Sequence, residues 1–254
     1  GSFLYSLVGI IALSTGAYGS TGRVVLFVVT AGVIVLIVVT LLRWIDHLTK
    51  LGRVGETTSR IEEAAASAID ARRHNPYLGG MPLSAGGEAR FNGMTPVKAG
   101  AIGYVQHIDM QALSRLAERI DGEIHLQLNP GAFVYRDTTI AYLDASEPEP
   151  TDNVERQKAM RLAVTIGNER SFEQDPRFGL AVLSEIASRA LSPAVNDPGT
   201  AIDVLGRQAR VLCTWARDQQ ADQTPQFPRV WVTALHTRDL FEDAFNPIAR
   251  DGAS

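Results

Sequence analysis

The stretch VVLFVVTAGVIVLIVVTLL, Val24 to Leu42, decides the architecture: nineteen consecutive uncharged, mostly aliphatic residues. As a helix rising about 1.5 Å per residue it reaches roughly 28 Å, close to the hydrocarbon thickness of a bilayer. A second apolar stretch, Phe3 to Tyr18, precedes it and also lacks any charged side chain. Between them Gly19-Ser20-Thr21-Gly22-Arg23 reads as a tight turn. Two antiparallel spans within residues 1–48 are therefore predicted, because a helix in lipid satisfies its own backbone hydrogen bonds. The first span is short and reads as a helix entered part-way. Its Ser6, Gly9, Ser14, Thr15 and Gly16 suit close packing between helices. No basic segment precedes Phe3, so a cleavable signal is not predicted.

Basic residues set the expected orientation. The turn offers only Arg23, whereas Arg43, Lys50, Arg53 and Arg60 follow the second span, with Trp44 at interface level. Positive charge favours the cytoplasmic side, which predicts an inner (plasma) membrane protein with a cytoplasmic C-terminal region. The net charge of −4 argues against non-specific nucleic-acid binding, which needs a basic face. One cysteine, Cys213, excludes an internal disulfide framework. Beside Leu212 and Trp215 it reads as a small buried hydrophobe.

Beyond the membrane the sequence predicts an α+β region. A helical stalk is expected over 49–75, continuous with the second span, with Gly52 and Gly55 as points of bending and Asn75-Pro76 as its stop. Residues 76–93, rich in glycine, read as a loop. Over 94–146 the pattern predicts a small β-rich, barrel-like subdomain with one helix. Its strands fall at Gly103–Ile108, Glu123–Leu128, Ala132–Tyr135 and Thr138–Leu143, and its helix at Met110–Ile120. Glu147 to Asp152, with two prolines and no hydrophobe, marks a boundary. A mostly helical subdomain is expected over 152–250. Two of its helices start with the same recipe, Asp175-Pro176 and Asp197-Pro198: aspartate caps the free N–H groups and proline occupies the first helical position. A strand at Arg229–Val232 and a helix over Leu240–Phe245 close the reading.

The polar residues with most potential chemistry lie in ERSFEQDPRFG, Glu169 to Gly179, and RALSPAVNDPGTA, Arg189 to Ala201. With GYVQHID, Gly103 to Asp109, these strings make the chain resemble a bacterial family of predicted integral membrane proteins, domain of unknown function 2254. The resemblance covers nearly the whole chain. It implies membrane residence, further membrane helices before this segment and more chain after it, and no assigned reaction, substrate or cofactor. From the residues themselves, Arg170, Asp175, Arg177, Asn196 and Asp197 form a candidate ligand site. Two helix N-termini and two guanidinium groups would there hold a small anion. The plain structural alternative gives Asp175 and Asp197 as caps, Asn196 as a turn residue and Arg170 as an internal ion pair. His107, Asp109 and His125 do not amount to a metal motif, so neither metal nor cofactor is expected, and no nucleophile elbow, phosphate loop or His-Glu-x-x-His is present.

Catalytic residues are not identifiable, and an enzyme is not the leading reading. An oligomeric channel or transport component with a cytoplasmic regulatory domain leads. A membrane-tethered sensor or scaffold that binds a small anion or protein partner follows, and a membrane-bound hydrolase comes third. The expected partners are the lipid bilayer and further copies of the chain.

Overall fold

The computed structural model describes residues 20–51, 54–83, 88–145, 150–217 and 224–253. They divide into two units, Gly1–Thr57 and Thr58–Ser254.

In the first unit, helix α1 runs over Ser20–Leu51. Its stretch Phe27–Ile45 has a mean hydropathy of 2.5 and none of it is buried. This is the one helix among the described residues long and apolar enough to cross a membrane. Ser20 to Arg23, expected as a turn, belong to the helix instead. A first helical turn tolerates serine, threonine and glycine because its N–H groups have no intrahelical partner. The first expected span, residues 3–18, lies outside the described residues. Thr40 folds its hydroxyl back onto the Leu36 carbonyl (2.7 Å), so this polar group is satisfied within the helix.

Helix α2, Val54–His74, crosses from the first unit into the second. From Thr58 its buried side is Thr58, Ala65, Ala68, Ile69 and Arg72, spaced by three and four residues as one helical face requires. Residues 76–93 are not the plain loop expected. A 3-10 turn at Pro76–Gly79 leads into strand β1, Gly80–Leu83, and a second 3-10 turn spans Glu88–Phe91. Glycine at 80 is required by contact: a Cβ there would come within 2.5 Å of the Val230 carbonyl oxygen. The sequence shows the glycine but not the strand beside it.

The remaining elements follow in order. They are β2 (Thr95–Lys98), β3 (Gly103–Ile108), α3 (Met110–Arg119), β4 (Glu123–Leu126), β5 (Phe133–Val134), β6 (Thr139–Asp144), α4 (Pro150–Leu162), β7 (Val164–Gly167), α5 (Pro176–Leu191), α6 (Pro198–Trp215), β8 (Phe227–Thr233) and α7 (Thr237–Gly252). The class is α+β. The strands form two sheets, of order β1-β8-β4-β6-β2 and β5-β3-β7. Strand β8 lies parallel between β1 and β4, and β7 pairs antiparallel with β3. Strands on both sides of the expected boundary near residue 150 thus share sheets, and residues 94–146 do not close on themselves as a barrel-like unit.

One face of the larger sheet carries Ile124, Leu126, Ala141, Leu143, Val230 and Val232 against α3, whose Leu113, Leu116 and Ala117 are buried. Ala65 and Ile69 of α2 pack with Leu180 of α5, Val211 of α6 and Leu240 of α7 in a separate helical core. Cys213 is exposed rather than buried, because it lies off the α6 stripe of Ala201, Val204, Gln208, Val211 and Leu212.

The last helix also differs from expectation. Pro247 should end it, yet α7 continues to Gly252. Proline lacks the N–H that would bond the Asp243 carbonyl one turn back. The buried Ser184 hydroxyl of α5 replaces that donor, lying 2.6 Å from the Asp243 carbonyl and 2.7 Å from that of Ala244. Ser184→Ala should therefore cost about 1–3 kcal/mol, the penalty of a buried acceptor left unpaired. Urea denaturation followed by far-UV circular dichroism measures it, and a variant within about 0.5 kcal/mol of wild type would contradict this role.

Candidate functional site

Asp175 is the best-connected of the candidate residues. It is 1% exposed and caps α5, its Oδ1 accepting from the Arg177 backbone N–H at 3.0 Å. Its Oδ2 accepts from Arg170 Nε at 2.7 Å. The Pro130-Gly131 turn lies hard against this carboxylate. Gly131 has φ +93°, and a Cβ there would stand 2.2 Å from Asp175 Oδ2. Arg72, 4% exposed, reaches the same place from α2, donating to Asn129 Oδ1 (3.0 Å) and to the Gln174 carbonyl (3.2 Å). Burial pushes the Arg72 guanidinium down to about 10, and the charge of Asp175 opposes that fall. It stays protonated at neutral pH.

Gln174 locks this node to the smaller sheet, its Oε1 accepting from the Ile108 N–H (2.8 Å) and its Nε2 donating to the Ile108 carbonyl (3.3 Å). Asn129 extends it by donating to the Thr233 carbonyl at 3.2 Å. Gln174 lies within the string ERSFEQDPRFG, but Arg72, Asn129 and Gly131 were not among the candidate site residues, because nothing in their spacing pairs residues so far apart in the chain.

The other candidates point elsewhere. Arg177 forms a bidentate pair with Asp243 (2.6 and 3.0 Å) and lies 3.5 Å from Asp239. The Asp243 bond is the chief reason its guanidinium holds its proton more tightly than usual. Asn196 is exposed in a left-handed turn (φ +47°), and Asp197 caps α6 through the Thr200 N–H (3.1 Å). The Thr200 hydroxyl, followed by that N–H, holds the Asp197 carboxyl below its usual range. Asp197 starts the helix after α5, so it sits at the opposite end of α5 from Asp175, about 24 Å away at the helical rise. The five residues do not meet: Arg170 and Asp175 form one pair, Arg177 turns to α7, and Asn196 and Asp197 shape a distant turn. Nor is there a nucleophile and base within reach among them.

A cleft of about 370 Å³ opens beside the buried node. Its wall includes Arg72 of α2, His107 of β3, Asp109 and Gln111 at the start of α3, Glu173, and Gln226 before β8. Ala68, Leu78, Met110 and Phe227 add apolar surface. Two of the strings singled out in the sequence come together here, GYVQHID through His107 and Asp109, and ERSFEQDPRFG through Glu173 and Gln174. His107 Nδ1 is buried without a hydrogen-bond partner and stands 3.5 Å from Glu173 Oε1, too far for a bond. Asp109 is committed at one oxygen, capping α3 through the Ala112 N–H (2.9 Å).

One family is matched over residues 1–254, the one described as predicted membrane protein (DUF2254). The chain belongs to that family. Two uncharacterized proteins, of Mycobacterium bovis and Mycobacterium tuberculosis, are each similar at 36% identity over 112 residues. That match covers 43% of this chain and 21% of each relative. No solved structure matches. Membership in the DUF2254 family makes this a predicted membrane protein, with α1 as the described segment suited to lipid.

Proposed function

We propose that this DUF2254 chain is a membrane-tethered sensor, whose second unit binds a small polar molecule in the cleft beside α2. The observation that carries the reading is the cleft itself, with volume adequate for a small ligand, a mixed polar and apolar lining, and a buried His107 nitrogen that has no hydrogen-bond partner. Ala68, Ala71 and Arg72 of α2 line it, with Asn75 just past the helix end, and α2 follows α1 after two residues of chain. A ligand there bears directly on the element that leads back to the apolar helix. Asp109 and Glu173 on the wall favour a ligand with N–H or O–H donors over a bare anion. The small anion expected from the sequence would have to compete with Asp175, Asp239 and Asp243 for Arg170 and Arg177.

Thermal unfolding of the detergent-solubilised chain tests this, with amino acids, polyamines and nucleosides set against inorganic phosphate and citrate. A donor-bearing class should raise Tm, and a His107→Ala/Glu173→Gln variant should lose the shift. No shift with any class, or one that survives in the variant, would overturn the proposal. A channel or transport component with a cytoplasmic regulatory domain, assembled from several copies in an inner membrane, is the second reading. Its support is α1, where Phe27, Leu36 and Trp44 are 74%, 66% and 59% exposed, leaving surface for neighbouring helices as well as lipid. Conductance across planar bilayers tests it; none from the full-length protein would count against it.

A further inference from the structure

The opposite face of the larger sheet holds a second group of polar residues that the cleft does not use. Glu123 and His125 stand two apart on β4 and so project from one face. Asp144 of β6 is the direct cross-strand partner of Glu123. One donor atom from each of the three lies within 4.8 Å of the others. His125 Nε2 is 3.5 Å from Glu123 Oε2.

His125 is 3% exposed, and neither of its ring nitrogens has a hydrogen-bond partner. Leaving both orphaned costs free energy that a ligand would recover. The ring cannot turn to water, because Trp231 stacks on it (5.8 Å between centroids, 9°) and Phe91 meets it edge-on at 6.2 Å. Two carboxylates directly opposite on an antiparallel pair also repel, which a cation between them would relieve. Burial lowers the proton affinity of His125, keeping the neutral imidazole that metals require. Arg90, 5.7 Å over the Trp231 ring, adds to that lowering and is the competing positive charge nearby.

We propose that Glu123, His125 and Asp144 bind a divalent transition-metal ion of the zinc class. An imidazole with two carboxylates is a donor set zinc accepts, at bond lengths of about 2.0–2.2 Å that place neighbouring ligand atoms roughly 3.3 Å apart. The histidine–glutamate separation is close to that already. Asp144 is exposed and Glu123 half-exposed, so their carboxylates can close the rest. The ring is oriented by aromatic stacking, where many metal sites use a hydrogen bond to the second nitrogen.

The test uses the whole chain in detergent, without a histidine tag and stripped by chelator. Zn2+ affinity is read by competition with a chromophoric chelator, and coordination by the visible absorption of bound Co2+. One equivalent should bind and raise Tm. Asp144→Asn and Glu123→Gln should each weaken Zn2+ by at least tenfold while keeping the wild-type circular dichroism spectrum, and His125→Asn should abolish it. His74→Ala and His236→Ala should bind as wild type. Absence of stoichiometric Zn2+, unchanged affinity in both carboxylate variants, or equal loss in the His74 or His236 controls would overturn the site.

Discussion

Asp175→Ala should destabilise the second unit by about 3–5 kcal/mol, the largest loss expected of any single change at the candidate residues. The reason is charge rather than the missing cap alone. Asp175 is 1% exposed, and it is the bonded carboxylate of Arg170 and the charge that opposes the effect of burial on Arg72. Removing it leaves Arg72 buried with only neutral acceptors, the Asn129 side chain and the Gln174 carbonyl. Asp175→Asn separates the two contributions. Asparagine still caps a helix well, so its deficit reports the lost charge and the further deficit of alanine reports the cap. Urea denaturation of the three proteins measures both. An alanine variant within about 1 kcal/mol of wild type would mean that the node does not depend on this carboxylate.

Gly179→Ala should be destabilising by about 1–3 kcal/mol, although alanine normally outperforms glycine inside a helix by about 1 kcal/mol. The sign inverts because α2 and α5 meet at this point. A Cβ on Gly179 would stand 2.2 Å from the Ala65 Cβ and 2.8 Å from its Cα, so backbone as well as side chain must move. Gly206 of α6 is the control: a Cβ there meets nothing closer than Arg210 Nη1 at 3.8 Å. Gly206→Ala should stabilise by about 0.5–1 kcal/mol. Ala65→Gly should recover part of the Gly179→Ala loss, giving a coupling energy in a double-mutant cycle. Two alanine substitutions of the same sign, or no coupling to Ala65, would contradict the close approach.

That approach is one link between the second part of α2 and the helices after it. Arg207 and Arg210 of α6 both bond Glu62 of α2, at 2.7 and 2.6 Å. The Arg210 bond, with Arg207 adding to it, holds the Glu62 carboxyl below its ordinary range. Its contribution to stability is present above the ordinary carboxylate range and fades as pH falls through the lowered value.

Several local elements were legible in the sequence to within a residue or two, whereas β1, β2 and β7 were not among the expected strands. Gly103–Ile108 alternates and is β3; Asp175-Pro176 and Asp197-Pro198 open α5 and α6 as written. Turns and caps depend on neighbouring residues, so local chemistry suffices to find them. The end of α7 was misread for the opposite reason: the donor that rescues its proline comes from Ser184, on another helix. The metal-binding proposal divides in the same way. Glu123 and His125 share a strand face by spacing, whereas Asp144 joins them only through the β4–β6 register.

By itself the sequence determined the apolar helix, the α+β class, the family, and where most helices and strands begin. These follow from hydrophobic runs, alternation and capping, all of which act over a few residues. Only the tertiary structure decided that β8 lies between β1 and β4, that Arg72 and Asp175 share one buried node, and that Asn196 and Asp197 stand apart from it. Those outcomes rest on pairing and desolvation between segments separated by up to about 150 residues, for which the burial of a charge matters and its position in the chain does not.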